Sequence, residues 1–147
     1  MQYYLLEPEV AGGIGDMSEI TYKDGMIDEV KFLHYEFDGW LGDELLTTTP
    51  CFIVTESLMD DIISSGLEGA EFKTIHTSLS EEFLDLYGKM EIPKFVEIKC
   101  KFVYEEHMDN LTSDFYISQC KDFIVSEKAL NILRNHKLDF CKVKKFD

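Results

Sequence analysis

The sequence is poor in basic residues, in proline and in tryptophan. Its 147 residues hold 14 Lys and Arg against 29 Asp and Glu, with 3 Pro, 1 Trp and a formal net charge of −15. This charge repels nucleic acids and anionic membranes, so we expect neither as a partner, whereas a basic protein would be attracted. An acidic surface that only maintains solubility explains the same composition, and charge alone favours that simpler interpretation.

Long hydrophobic runs and a signal sequence are also missing. No apolar run approaches the roughly 20 residues that a membrane-spanning helix needs. The first ten residues, MQYYLLEPEV, contain neither a basic region nor a small-residue cleavage site, so they do not resemble a secretory signal. The sequence therefore predicts a cytoplasmic protein, and its length suits a single domain covering residues 1–147.

Metal-binding and catalytic patterns are absent as well. The histidines and cysteines show no HxH, HExxH or CxxC spacing, and no serine stands in a GxSxG context. The stretch AGGIGD at 11–16 lacks the P-loop ending, so a flexible turn-rich loop is predicted there. His107 lies among acidic residues, but these lack the order of a calcium-binding loop. We therefore expect no enzyme activity, no cofactor and no metal, and we expect four cysteines that are mostly buried and unpaired.

The fold class follows from alternating and helical patterns. Strands are predicted at 2–7, 29–37, 51–54, 71–78, 94–104, 123–125 and 139–145, and a loop at 38–50. Ser78 and Glu81 suggest the start of a short helix that ends at Gly88. In the strand at 94–104 the alternation predicts that Glu97 faces solvent and Phe102 the core. The prediction is an α+β domain with a mixed, mostly antiparallel sheet and about three helices.

A strand–helix phrase occurs twice. FIVTE at 52–56 and FIVSE at 123–127 each precede an apolar-rich helical pattern. Thr55 and Ser126 are predicted N-caps because their hydroxyls can accept from free amides of the first turn. In the first helix Leu58, Ile62 and Ile63 are predicted on the apolar face, and Gly66 as its left-handed end. The phrase predicts a strand, capped helix and strand unit used twice, by duplication or by convergence.

The candidate recognition site is the acidic loop FDGWLGDELL at 37–46. It holds the only tryptophan, and a tryptophan ringed by charge can anchor a protein interface. The alternative is that the indole plugs the edge of the core, as buried tryptophans commonly do. Catalytic and metal-binding residues are predicted to be none, and the predicted partner-binding residues are Asp38, Trp40, Asp43 and Glu44.

Several phrases resemble a family of bacterial immunity proteins from polymorphic toxin systems, first catalogued as a domain of unknown function. They are YYLLEPEVAGG, LHYEFDGWLGDELL, PCFIVTESL, and FIVSEKALNIL followed by LDFC. The resemblance covers most of the chain in order, except about 105–118, and it includes no catalytic signature. It implies a non-enzymatic protein that binds and neutralises a toxin domain, for which a basic active face would suit the acidic chain. The alternative is a small-ligand-binding or enzymatic cytosolic domain whose site is assembled from scattered residues.

Overall fold

The computed structural model describes residues 2–146, and strands outnumber helices in it. The α-helices are α1 Glu56–Ser64, α2 Glu81–Tyr87 and α3 Glu127–Leu133, and a 3-10 helix covers Glu105–Asn110. The strands are β1 Tyr3–Glu7, β2 Gly12–Ile14, β3 Glu19–Lys23, β4 Met26–Phe32, β5 His34–Phe37, β6 Leu45–Thr48, β7 Cys51–Thr55, β8 Ala70–Thr74, β9 His76–Leu79, β10 Phe95–Val103, β11 Phe115–Ser118, β12 Phe123–Ser126 and β13 Lys142–Phe146.

The main sheet has eight strands among the described residues, in the order β13-β1-β12-β11-β10-β7-β6, with β8 also paired to β10. Most pairs are antiparallel, and β10 with β11 is parallel. A parallel bridge between Glu9 and Leu46 links the chain after β1 to β6, so the sheet curls back on itself. Strands β2, β5 and β9 form a second sheet, and β3 and β4 form a hairpin. The predicted α+β class with a mixed, mostly antiparallel sheet is confirmed.

The two FIV phrases are interior strands, as predicted. Phe52 and Val54 of β7 pack into one core with α1 and α3, whereas Ile53 points into a second core on the opposite face. In β12, Phe123 enters the first core, and the Phe52 and Phe123 rings lie 4.7 Å apart there. Because β7 is buried on both faces, its sequence reads as a continuous apolar run instead of an alternating one.

Both predicted N-caps are confirmed. The Thr55 hydroxyl accepts from the Leu58 amide at 3.2 Å, and the Ser126 hydroxyl accepts from the Ala129 amide at 3.1 Å. These bonds satisfy amides that have no carbonyl partner within the first helical turn. Gly66 has a φ of 71° just after α1, as expected for a left-handed helix end.

The repeat extends well beyond the shared phrase. The Glu56 amide donates to the Lys94 carbonyl, and 71 positions later the Glu127 amide donates to the Gln2 carbonyl, at 3.0 and 2.9 Å. Strand β7 pairs with β10 and β12 pairs with β1, and β8 and β13 lie on the far sides of β10 and β1. The elements β6-β7-α1-β8 (first unit) and β11-β12-α3-β13 (second unit) are therefore equivalent in topology. In each unit the central strand, β10 in the first and β1 in the second, comes from a part of the chain outside that unit.

Several predicted boundaries are wrong because tertiary packing breaks long apolar runs. The single strand predicted at 29–37 is two strands in different sheets, separated at the fully buried Leu33. The run at 71–78 is likewise divided between β8 and β9. The predicted loop at 38–50 contains β6, a strand of the main sheet.

The glycine-rich stretch and the second helix also differ from the prediction. Gly12–Ile14 is a strand paired with β5, not a loop. A side chain at Gly12 would collide with the Glu36 carbonyl, so glycine lets this strand approach β5 closely. The N-cap of α2 is Ser80 instead of Ser78, and its hydroxyl accepts from the Phe83 amide.

Side-chain burial departs from the predicted pattern in α1 and β10. Ile63 is 59% exposed, although it was predicted on the apolar face of α1. Glu97 is 4% exposed, whereas Phe102 is 46% exposed, the reverse of the predicted alternation. The first half of β10 is buried on both faces, because Phe95 belongs to the second core and Val96 to the first. After Ile98, which still belongs to the first core, the strand becomes half-buried and then exposed at Lys101 and Phe102.

Candidate functional site

The loop predicted to bind a partner is fixed by the chain after α3. The Glu44 amide donates to the Lys137 carbonyl at 2.9 Å, and the Lys137 ammonium donates to the Leu41 carbonyl at 2.8 Å. The Asp43 carboxylate accepts from the amides of Asp139 and Phe140 at 2.9 and 2.8 Å. Asp43 is fully buried, so the assumption that its charge faces a partner is wrong. Its role is to hold residues 139–140 in place.

Glu44 is also engaged inside the protein. Its carboxylate accepts from the Thr55 hydroxyl at 2.7 Å and from the Lys137 amide at 3.1 Å, and it lies 3.0 Å from His136 Nδ1. Burial opposes ionisation, but these three contacts outweigh it and lower the pKa of Glu44. Glu44 therefore joins the α1 cap to the segment after α3, and its carboxylate has little freedom to meet a partner.

His136 completes that cluster. Its Nε2 lies 2.9 Å from the Asp61 carboxylate on α1, opposite the contact to Glu44, and its side chain is 11% exposed. Burial lowers the pKa of His136, but hydrogen bonds to Asp61 and Glu44 prevail and raise it. A ring that donates from both nitrogens is an imidazolium. His136 therefore forms ion pairs with Asp61 and Glu44, and these link α1 to the segment after α3.

Trp40 lies at the edge of the core and keeps part of its surface open to solvent. Its indole is half-buried, lies edge-to-face with Phe95 at 6.3 Å and belongs to the second core. The indole N–H donates to the Asp43 carbonyl at 2.8 Å. The ring also forms a wall shared by two surface clefts. Trp40 thus packs against the core on one side and is open to solvent on the other, next to the exposed Asp38.

One of these clefts has an aromatic and acidic lining. It has a volume of about 260 Å³, and we call it the Trp40 cleft. Gly39 stands under the ring of Tyr87, where a Cβ would be 3.3 Å from Tyr87 Cε2. The Trp40 cleft is lined by Glu9, Val10, Ala11, Gly12, Asp38, Gly39, Trp40, Leu41 and Tyr87.

Helix α2 meets this cleft at Tyr87 and carries further exposed apolar side chains. Only Phe83 of this helix is fully buried, while Leu84 is 43%, Leu86 75% and Tyr87 39% exposed. At the cleft itself Val10 is 63% and Leu41 47% exposed. Exposed apolar side chains gathered in one region mark interaction sites more often than scattered ones. We call the cleft and the exposed side chains of α2 the Trp40 face.

Sequence reasoning found Trp40 and Asp38 but missed the other half of this face. The available signal was the composition of α2, EEFLDLY, which has more apolar residues than one buried helix face needs. Val10 gave no signal, because its place beside Trp40 depends on the pairing of β2 with β5.

A serine–histidine pair lies elsewhere, at the second sheet. His34 Nε2 is 2.6 Å from the Ser78 hydroxyl, and His34 Nδ1 accepts from the Met17 amide at 3.2 Å. Since Nδ1 accepts, the proton is on Nε2, which donates to the serine. A base that activates serine needs the opposite arrangement. Burial and the adjacent His76 ring lower the pKa of His34, so this pair forms a neutral structural contact.

A further cavity, of about 180 Å³, lies beside β10 where its neighbour changes from β7 to β11. Glu97 and Cys51 line it, and Glu97 Oε1 is buried without a hydrogen-bond partner within residues 2–146. Burial raises the pKa of the Glu97 carboxyl. Burial and the neighbouring Glu97 raise the pKa of the Cys51 thiol, which makes it a poor nucleophile.

The cysteines are unpaired, as predicted, but their burial is mixed: Cys51 is buried, Cys100 and Cys141 are half-buried, and Cys120 is exposed.

Across residues 2–146, no cluster of three or more His, Cys, Asp or Glu side chains could hold a metal ion. The Asp114 carboxylate, seven residues after His107, accepts from the Ser126 hydroxyl and from the Glu68 amide. No helix in the same range has the length and apolar character to span a membrane.

Comparison with protein-family models, curated proteins and solved structures finds no match to this chain.

Proposed function

We propose that this protein is an immunity-type inhibitor, a non-enzymatic protein that binds a cognate bacterial toxin domain and blocks it by occlusion. The sequence resemblance to immunity proteins motivates the proposal, and the Trp40 face is the observation that carries it. Exposed Leu86, Tyr87 and Leu41 offer an apolar centre, while Trp40 is a rigid aromatic anchor backed by the core. Interfaces concentrate binding energy in such centres.

The charge around this face favours a basic partner. Residues 1–50 carry 11 acidic and 2 basic residues, and α2 adds Glu81, Glu82 and Asp85. Complementary charge raises the association rate and favours one class of partner, whereas the apolar centre slows dissociation. In this proposal the protein works in the cytoplasm, requires no cofactor, and meets a toxin domain with a basic active face.

The test is a charge substitution in the apolar centre. We expect Leu86→Glu to weaken binding to the toxin domain encoded beside this gene by at least tenfold and to abolish growth protection on co-expression. Leu86 is 75% exposed, so unfolding free energy should change by less than about 0.5 kcal/mol. The matched control is Ile63→Glu, whose side chain is 59% exposed on α1, a helix that does not line the Trp40 cleft. Equal binding by both variants would contradict the proposal, as would a neighbouring gene that encodes no toxin.

The alternative, a small-ligand-binding or enzymatic domain, has one observation in its favour. The cavity at Glu97 and Cys51 contains a buried carboxylate oxygen without a hydrogen-bond partner in the described residues. Such an acceptor destabilises the fold, and a ligand that donated to it would remove this cost. The Trp40 face has more exposed apolar side chains than this cavity, and it includes residues from the part of the chain where the negative charge is concentrated. We therefore favour protein recognition.

A further inference from the structure

The Trp40 cleft contains a carboxylate that lacks a donor. Glu9 lines this cleft, and its Oε2 is buried without a hydrogen-bond partner among residues 2–146. Burial raises the pKa of Glu9, the Asp43 carboxylate raises it further, and Lys137 only partly offsets them. A buried acceptor without a donor is destabilising by about 1–3 kcal/mol. Because Glu9 lines the cleft, a positively charged donor that reaches its carboxylate there would offset this cost and favour ionised Glu9.

The aromatic walls of the cleft suit the same kind of group. Trp40 and Tyr87 both line it, and Asp38 adds an exposed carboxylate. Indole and phenol faces attract cations, and Trp is the strongest of the aromatic side chains in this respect. A guanidinium is planar, stacks on aromatic rings and donates to carboxylates through several N–H groups, so it matches this lining better than an ammonium.

The neighbouring cleft on the other side of Trp40 has a different character. Lys94 and Lys137 line it, with Glu44 and Glu56. Lys94 is 3.6 Å from the Glu56 carboxylate, and Glu44 is occupied by Thr55 and His136. Its acids are therefore already paired with internal donors. Of the two clefts that share Trp40, the one with Glu9 has the unsatisfied acceptor.

We propose that the Trp40 cleft receives an arginine side chain of the partner protein, with the guanidinium paired to Glu9 and Asp38 and stacked on Trp40 or Tyr87. This inference rests on the proposed function, because it identifies what the toxin domain inserts into that face. The cleft has a volume of about 260 Å³ and is open to solvent, so a side chain can enter it from outside. The acidic N-terminal third steers a basic group towards it.

The test uses an arginine blocked at both ends, N-acetyl-arginine methylamide, so that it needs no toxin. Titration followed by amide NMR should give saturable shifts at the Trp40 indole N–H and the Gly39 amide. Blocked citrulline, which has the same shape without the charge, should bind at least tenfold more weakly. Blocked lysine should fall between them.

Glu9→Gln is the decisive variant, since it keeps the side-chain volume and removes the charge. We expect it to weaken blocked arginine at least tenfold, whereas Glu7→Gln, at an exposed position of β1 outside the cleft, should have no effect. Equal binding of arginine and citrulline, no saturable shift, or unchanged binding by a folded Glu9→Gln protein would overturn the inference. Arginine binding without any toxin binding would instead contradict the proposed function alone.

Discussion

The two repeated units share their core contacts but differ in what precedes them. In the first unit the Thr55 amide donates to the Glu44 carbonyl and the Thr55 hydroxyl contacts the Glu44 carboxylate. In the second unit Ser126 makes the same two contacts with Asp114. The connection from β1 to β6 covers residues 8–44, however, whereas the connection from β10 to β11 covers only 104–114.

The Trp40 face is made from the segments that break this equivalence. Val10, Trp40 and Leu41 lie in the long connection between β1 and β6. Leu86 and Tyr87 lie between β8 and β10, in a segment that belongs to neither unit. The equivalent elements form the scaffold, and the additional segments carry the candidate site. Recognition residues are commonly found on such connections, because they can vary without disturbing the core.

The largest expected effect tests whether the units meet in one core. Phe52→Ala and Phe123→Ala should each destabilise the protein by about 3–5 kcal/mol, since both rings are buried and lie 4.7 Å apart. Denaturant unfolding of both single variants and the double variant should give a coupling of about 0.5–1.5 kcal/mol. Phe102→Ala, at a 46% exposed position, is the control for a smaller loss. Strictly additive losses would show that the two phrases stabilise separate regions.

A smaller effect compares the two caps. Ser126→Ala should cost about 1–2 kcal/mol, because it removes the cap and leaves Asp114 Oδ1 without its 2.6 Å donor. Thr55→Ala should cost about 1 kcal/mol, because the Glu44 carboxylate keeps His136 and Lys137 as donors. Urea unfolding of both variants measures the difference, with Ser80→Ala at α2 as a control cap that lacks a carboxylate contact in the described residues. A larger loss at Thr55 would reverse our ranking of the two clusters.

The smallest effect concerns His136, which the first unit replaces by Ser65 at the position 71 residues earlier. The pKa of His136 is raised in the folded protein above its ordinary 6.5. Its contribution is therefore complete below pH 6.5 and is lost as the pH rises through the folded pKa. We expect His136→Ser to cost about 1 kcal/mol below that pH and progressively less above it, in urea unfolding across a pH series.

The carboxylates that contact His136 also affect stability across this pH series. Glu44 and Asp61 face His136, and the pKa of Glu44 is lowered, so its contribution is lost as the pH falls through the folded value. The stability difference between wild type and His136→Ser isolates the histidine in the range above the Glu44 titration. A difference that stays constant through neutral pH would show that His136 is not charged in the folded protein.

Much of the fold was predictable because its signals are local. The FIV strands, both N-caps and the left-handed Gly66 depend on a few neighbouring residues. The break at Leu33 and the strand at Gly12–Ile14 were not predictable. Each depends on which sheet the chain joins, and that choice is made by residues distant in the sequence.

The candidate site divides in the same way. Asp38 and Trp40 were predicted from composition, and Asp38 is exposed while Trp40 lines two clefts. The sequence does not distinguish the carboxylates of Asp43 and Glu44 from that of Asp38. In the structure, however, those two accept hydrogen bonds from backbone amides in the segment after α3. A carboxylate in an acidic loop can bind solvent, a partner or a backbone amide, and only the position of α3 decides among them.

The sequence by itself determined the α+β class, the two buried strand–helix phrases with their caps, and the strongly acidic N-terminal third, because periodicity, capping and charge are written in adjacent residues. The tertiary structure alone decided that the two units share one core, that Glu97 is buried, and that Glu9, Trp40 and Tyr87 line one cleft. Those three residues come from the segment after β1, the loop before β6 and the end of α2. They meet because the main sheet curls and the second sheet packs over β7, and no local sequence signal specifies that packing.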